Sequence, residues 1–199
     1  MAKILRYAKY AAIILLLLMI PAVSYPQLGI SGLAGSLIYF AAGLVVYLGF
    51  AHIGKTTENA LLKNTAHTLI VFILLFALLG ILQETPYRLT EENATKEIVL
   101  AMTLLQVVYG LTALGFGLSL FSLEKRFGKT AAATAILYTT TGLLYTTGWM
   151  LNAANLTIDT LPKVAAALGS VILMTAVMNT IFAQAAAIIF FHKTEKKLK

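Results

Sequence analysis

Residues 49–56 read GFAHIGKT, which satisfies G-x-x-x-x-G-K-[ST], the pattern of loops that wrap backbone N–H groups around nucleotide phosphates. That chemistry needs a strand before the loop, a helix after it and a soluble domain to hold the base. Here Gly49 closes a long apolar run, and only a short polar segment follows. No apolar strand ending in Asp stands ready to hold magnesium. A helix C-terminus marked by Gly54, with Lys55 beside it, is the simpler account. Nucleotide binding is not expected.

His52, His67 and His192 fall at the ends of apolar runs and at similar depth. His52 and His67 flank one short loop, so two imidazoles there are weak candidates for a metal or a haem. A haem between helices usually takes ligands from within the apolar core, whereas these lie at its rim. Interfacial histidines with a wet ring tip are the plainer reading, so neither a metal nor a cofactor is expected. Cysteine is absent, which excludes disulfides, thiol catalysis and thiolate metal sites.

Ionisable residues inside apolar segments are the usual mark of proton or ion transport, and the apolar cores contain no Asp, Glu, Lys or Arg. Serine and threonine occur there without a Ser–His or Ser–Lys pair, so nucleophilic catalysis lacks its base. An enzyme is not expected.

The polar residues that remain are concentrated in the second half of the chain. Thr134, Tyr138, Thr141, Tyr145, Gly148, Asn152 and Asn155 recur at alternating spacings of four and three, which places them on one helix face. Thr103, Gln106, Gly110, Ala113 and Gly117 keep the same register, and Thr175, Asn179, Thr180 and Gln184 add a third stripe. Hydrocarbon leaves amides and hydroxyls without partners, so these faces must turn toward protein. Packing is one use: small residues let backbones approach, and interhelical hydrogen bonds contribute about 0.6 kcal/mol each. Lining a path for an uncharged solute is the other. Either use requires the three helices that carry the stripes to meet along them.

Those helices belong to a membrane protein. Of 199 residues, 59% are apolar and 12% charged, too little charge to cover a soluble globule. A bilayer core of roughly 30 Å takes about 20 apolar residues in a helix. Six runs qualify, at 7–24, 29–51, 67–82, 98–123, 131–154 and 163–191. The four prolines, Pro21, Pro26, Pro86 and Pro162, fall at the ends of runs or between them. The expected fold is an all-α, single-domain bundle of six transmembrane helices in the cell membrane.

Lys and Arg set the orientation. With both termini cytoplasmic, twelve of the fifteen basic residues lie inside, and Arg88, Lys96 and Lys163 lie outside. The outer loop with Glu84, Glu91, Glu92 and Glu97 is acidic. The net charge of +7 is therefore topological, and no nucleic acid is expected as a partner. An alternative for the first run is a signal peptide cleaved after Ala22-Val23-Ser24.

Lesser signals complete the pattern. Gly54-Lys55-Thr56 and Gly128-Lys129-Thr130 recur 74 residues apart in similar inner loops, through duplication or convergence of short basic turns. Ser31/Gly35 and Gly32/Ser36 are small-xxx-small pairs suited to a close crossing, with another helix or another protomer. The first and third runs are nearly all aliphatic and read as lipid-facing, while Tyr25, Tyr87 and Trp149 suit the outer rim. Thr90 before Glu91 and Glu92 reads as an N-cap, and Pro162 as a first-turn proline. Asn93-Ala94-Thr95 and Asn155-Leu156-Thr157 are glycosylation sequons, Asn93 the better placed. The basic tail suits an anionic leaflet. Together these features favour a structural or accessory subunit, partnered by lipid and by another membrane protein or copies of itself. The alternative is a pore or facilitator for a small neutral solute.

Overall fold

A computed structural model describes residues 2–24, 33–83, 95–157 and 163–198. Among them all secondary structure is helical: α1 (Ala2–Ser24), α2 (Leu33–Thr56), α3 (Ala60–Gln83), α4 (Lys96–Leu120), a 3-10 turn and the four-residue α5 (Glu124–Phe127), α6 (Lys129–Thr157) and α7 (Lys163–Lys197). Among the described residues four stretches, Leu37–Thr56, Ala60–Leu79, Lys96–Phe127 and Ala167–Lys197, are long and apolar enough to cross a membrane. Threonine dilutes the apolar run of α6.

The helices overrun the hydropathic runs because backbone hydrogen bonding continues past the edge of the apolar segment. Local capping decides where it stops. Asn59 Oδ1 accepts from Leu62 N at 3.0 Å and starts α3 well before residue 67. Thr95 accepts from Ile98 N at 3.4 Å and starts α4, whereas Thr90 lies outside the described residues. So do Pro162, Tyr25, Tyr87, Gly29, Ser31 and Gly32.

Chain neighbours pack side by side, α1 on α2, α2 on α3, α3 on α4, α4 on α6 and α6 on α7. α7 then packs on α1 and closes a ring of six helices. The seam carries a buried acid: Glu195 Oε1 lies 3.1 Å from the Arg6 guanidinium, and Oε2 lies 3.7 Å from Lys9 Nζ. At the same end, Asn59 Nδ2 donates to Ser119 O and Ser122 Oγ, tying the α2–α3 turn to the foot of α4. Lys193 Nζ donates to Thr130 Oγ1, and Lys197 Nζ to Arg126 O. The start of α1, the end of α7 and both short turns thus share one end of the bundle.

Just above that end the interior is filled by aromatic rings. Phe50 of α2 meets Phe116 of α4 at 5.0 Å, Tyr138 of α6 at 5.7 Å, and Phe190 and Phe191 of α7 at 5.9 and 4.6 Å. Edge-to-face and offset contacts of this kind add about 0.5–1.5 kcal/mol each to the burial of the rings. All six long helices also expose large apolar side chains, among them Leu17, Leu48, Val71, Leu111, Leu143 and Phe182. Lipid-facing character is therefore common to the ring and not peculiar to α1 and α3. Those two helices also bury Leu5, Ala8, Leu15, Leu62 and Leu69.

The most extensive pairing, α4 with α6, works by backbone approach. A Cβ on Gly142 would collide with the backbone of Leu114, and one on Gly117 with that of Thr139. On Gly110 it would come within 2.7 Å of Thr146 N. By contrast, a Cβ on Gly115 would find only Thr65 Cγ2, at 3.7 Å. Gly142→Val should therefore destabilise the bundle by about 1–3 kcal/mol through overpacking. Gly115→Val should stay near the parent protein when thermal unfolding is followed in detergent.

Candidate functional site

Above the aromatic floor the ring holds a partly open cavity of about 190 Å³. All six long helices line it: Leu15 from α1, Tyr39, Gly43 and Tyr47 from α2, and Ile73 and Phe76 from α3. Gln106 and Tyr109 come from α4, Tyr145 from α6, and Thr180 and Gln184 from α7. Tyr109 is the hub of one wall, its ring edge-on to Phe76 at 5.5 Å and to Tyr145 at 6.0 Å. The Tyr47 and Tyr109 hydroxyls approach one another, as do those of Tyr145 and Thr180. No Asp, Glu, Lys, Arg or His is among the lining residues, so the wall is neutral at ordinary pH, part aromatic and part hydroxyl and amide.

Two neighbouring polar atoms here make no full hydrogen bond. Gln184 is 5% exposed, and its Oε1 makes no hydrogen bond. Tyr138 stands beside it, in the floor, its hydroxyl facing the Gln184 side chain short of a full hydrogen bond. A buried carbonyl without a donor is unfavourable by about 1–3 kcal/mol. An N–H or O–H donor placed in the cavity relieves that.

The stripe residues divide among three tasks. Gln106, Tyr145 and Gln184 line the cavity, and Tyr138 supports it from below. Asn179 Nδ2 donates to Leu137 O and to Thr141 Oγ1, both at 2.8 Å, stapling α7 to α6. Farther along that seam, Asn152 Oδ1 stands 3.0 Å from where a Cβ on Gly169 would be. Gly110 belongs to the α4–α6 contact. Thr103 and Thr175 donate back to Val99 O and Val171 O of their own helices, and Thr175 is exposed. The α6 face that meets α4 carries Thr139, Gly142 and Thr146, offset from the stripe read in the sequence. That stripe instead faces the centre and α7.

Tyr39, Tyr47 and Tyr109 are cavity residues that the sequence reading passed over. The available signal was their position, well inside apolar runs rather than at the rim where tyrosine usually collects.

Residues 49–56 lie within α2, so the backbone donors of the phosphate-loop pattern belong to a helix. Gly54 serves the hairpin, since a Cβ there would meet Lys63 N at 2.6 Å. His52 and His67 border one groove between α1, α2 and α3, and His192 is an exposed residue of α7 outside it. Among the described residues no three His, Asp or Glu side chains gather as a metal site. Asn93 lies outside the described residues, and Asn155 is exposed near the end of α6.

The chain matches no protein-family model, no curated protein and no solved structure. Its geometry therefore has to carry the functional reading.

Asn179→Leu should lower stability in detergent by about 1 kcal/mol, because two interhelical hydrogen bonds are lost. Thr175→Val, on the exposed face, should leave the unfolding midpoint unchanged.

Proposed function

We propose that this protein is a six-span protein of the cell membrane, both termini cytoplasmic, that binds a small uncharged molecule in its central cavity and facilitates its passage. The observation that carries the reading is a neutral cavity walled by all six long helices, with the Gln184 carbonyl buried in it and unpartnered. Twelve basic residues in the segments assigned to the cytoplasm support the orientation.

Size and chemistry narrow the ligand. A cavity of about 150 Å³ holds benzene, so 190 Å³ suits a solute of roughly ten non-hydrogen atoms or fewer. Burying an unpaired charge is strongly unfavourable, and the lining offers no countercharge, so the solute is neutral. Tyr hydroxyls donate and accept, while the Gln184 carbonyl wants a donor. A flat or apolar body with at least one N–H or O–H fits this wall. Phe50 and the rings around it close the cavity toward the end that holds the termini. Closure on that side favours a carrier over an open pore.

A purely structural or accessory subunit needs no such interior site, which is why the solute reading is preferred. With no carboxylate, amine or imidazole among the lining residues to activate their hydroxyls, the proposal is non-catalytic.

A panel of small neutral donors should contain compounds that raise the unfolding temperature of the purified protein and enter proteoliposomes faster than protein-free vesicles. Gln184→Leu should abolish both effects while the variant still folds, and Asn179→Leu should weaken folding but keep ligand binding. Uptake equal to that of empty vesicles across the panel, with no thermal shift, would sink the reading.

A further inference from the structure

At the end of the bundle where α2 turns into α3, a second hollow of about 300 Å³ opens between α1, α2 and α3. Its floor is apolar: Ile4 and Leu48 line it and are 42% and 48% exposed. Its rim is basic, with Lys55 at the end of α2, Lys63 near the start of α3, and His52 and His67 beside them. No acid lines it.

Lys55 and Lys63 are set apart by the groove they line, while several other cations at this end of the bundle are held elsewhere. Arg6 and Lys9 pair with Glu195, Lys193 is held by Thr130, and Lys197 by the Arg126 carbonyl. Lys55 and Lys63 are exposed and make no salt bridge to an acid among the described residues, although Glu58 lies on the turn between them. His52 Nε2 is buried without a hydrogen-bond partner. Two uncommitted ammonium groups and an unpartnered ring nitrogen thus stand over an exposed aliphatic floor, at the edge of segments apolar enough to cross a membrane.

We propose that this groove is a binding site for one anionic phospholipid. Its headgroup phosphate lies between Lys55 and Lys63, within reach of His52, and an acyl chain runs over Leu48 and Ile4. Charge complementarity selects the occupant. Lysines give a phosphate charge-assisted hydrogen bonds, and basic pockets between helices at a membrane surface hold lipid headgroups. A zwitterionic lipid fills the same apolar floor but brings its own cation to the two lysines. A free phosphate satisfies the rim and leaves the floor bare. The inference rests on the membrane-spanning helices and not on the central cavity.

The test is native mass spectrometry of the full chain in mild detergent, titrated with phosphatidylglycerol or with phosphatidylcholine of the same chain lengths. One phosphatidylglycerol should be retained saturably, and phosphatidylcholine about tenfold more weakly or worse. K55Q/K63Q should reduce phosphatidylglycerol affinity by about tenfold, while K125Q/K196Q, with the same change in net charge, should leave it within about twofold. Equal loss in both double variants, or equal binding of the two lipids, would show charge attraction without a site. Displacement of the lipid by millimolar inorganic phosphate would make this a free-anion site. Either result overturns the proposal. A measurement independent of lysine substitution uses the absence of cysteine. A fluorophore on Leu48→Cys should be quenched more by brominated phosphatidylglycerol than by brominated phosphatidylcholine, and equal quenching also overturns the proposal.

Discussion

A hydroxyl or an amide inside an apolar bundle has no water to turn to, and most of this architecture follows from that constraint. Threonine meets it locally: Thr103, Thr112, Thr134, Thr146 and Thr180 each donate to the carbonyl four residues back. Asparagine cannot manage this on one helix, so Asn179 reaches across to α6 and Asn59 across to α4. Tyrosine and glutamine are too long for either solution. Their polar ends collect in the middle of the ring, and the space between them is the cavity.

Two kinds of packing make the ring uneven. Where α4, α6 and α7 meet, glycines bring backbones together, and the contacts are the most extensive in the molecule. The α1–α3 half is joined through aliphatic side chains such as Leu15, Val46 and Leu69. Phe50 crosses from α2 and stacks on rings of α4, α6 and α7, coupling the two halves at one level. Above that level Phe72 and Phe76 of α3 meet Tyr109 of α4, and the tyrosine and glutamine side chains toward the centre leave a void.

The helices were legible in the sequence because an apolar run is a one-dimensional signal. Their ends were less so. Asn59 and Thr95 start α3 and α4 by capping, and α7 runs on to Lys197 through a charged tail that hydropathy marks as outside. The order of the helices around the ring was not legible. In a soluble bundle the polar face of each helix reveals which side faces inward, but here the outward face is as apolar as the core. The stripe from Thr134 to Asn155 pointed to a protein-facing side of α6, and the structure sends it toward the centre and α7. The α4-facing side, with Thr139, Gly142 and Thr146, differs too little in polarity from its surroundings to be read. Glu195 was one acid in a basic tail, and only the return of α7 to α1 gives it meaning.

The closing seam of the ring joins residues 189 positions apart in the chain. A polypeptide leaves the ribosome from its N-terminus, so α1 to α4 are exposed to the membrane while α7 is still being synthesised. Until α7 arrives, Tyr39, Tyr47 and Gln106 line an open cleft with one wall missing, and Arg6 has no carboxylate to meet. The central chamber is thus the last feature of the ring to form during biogenesis. A nascent chain stalled before α7 would hold five of the six long helices and no chamber.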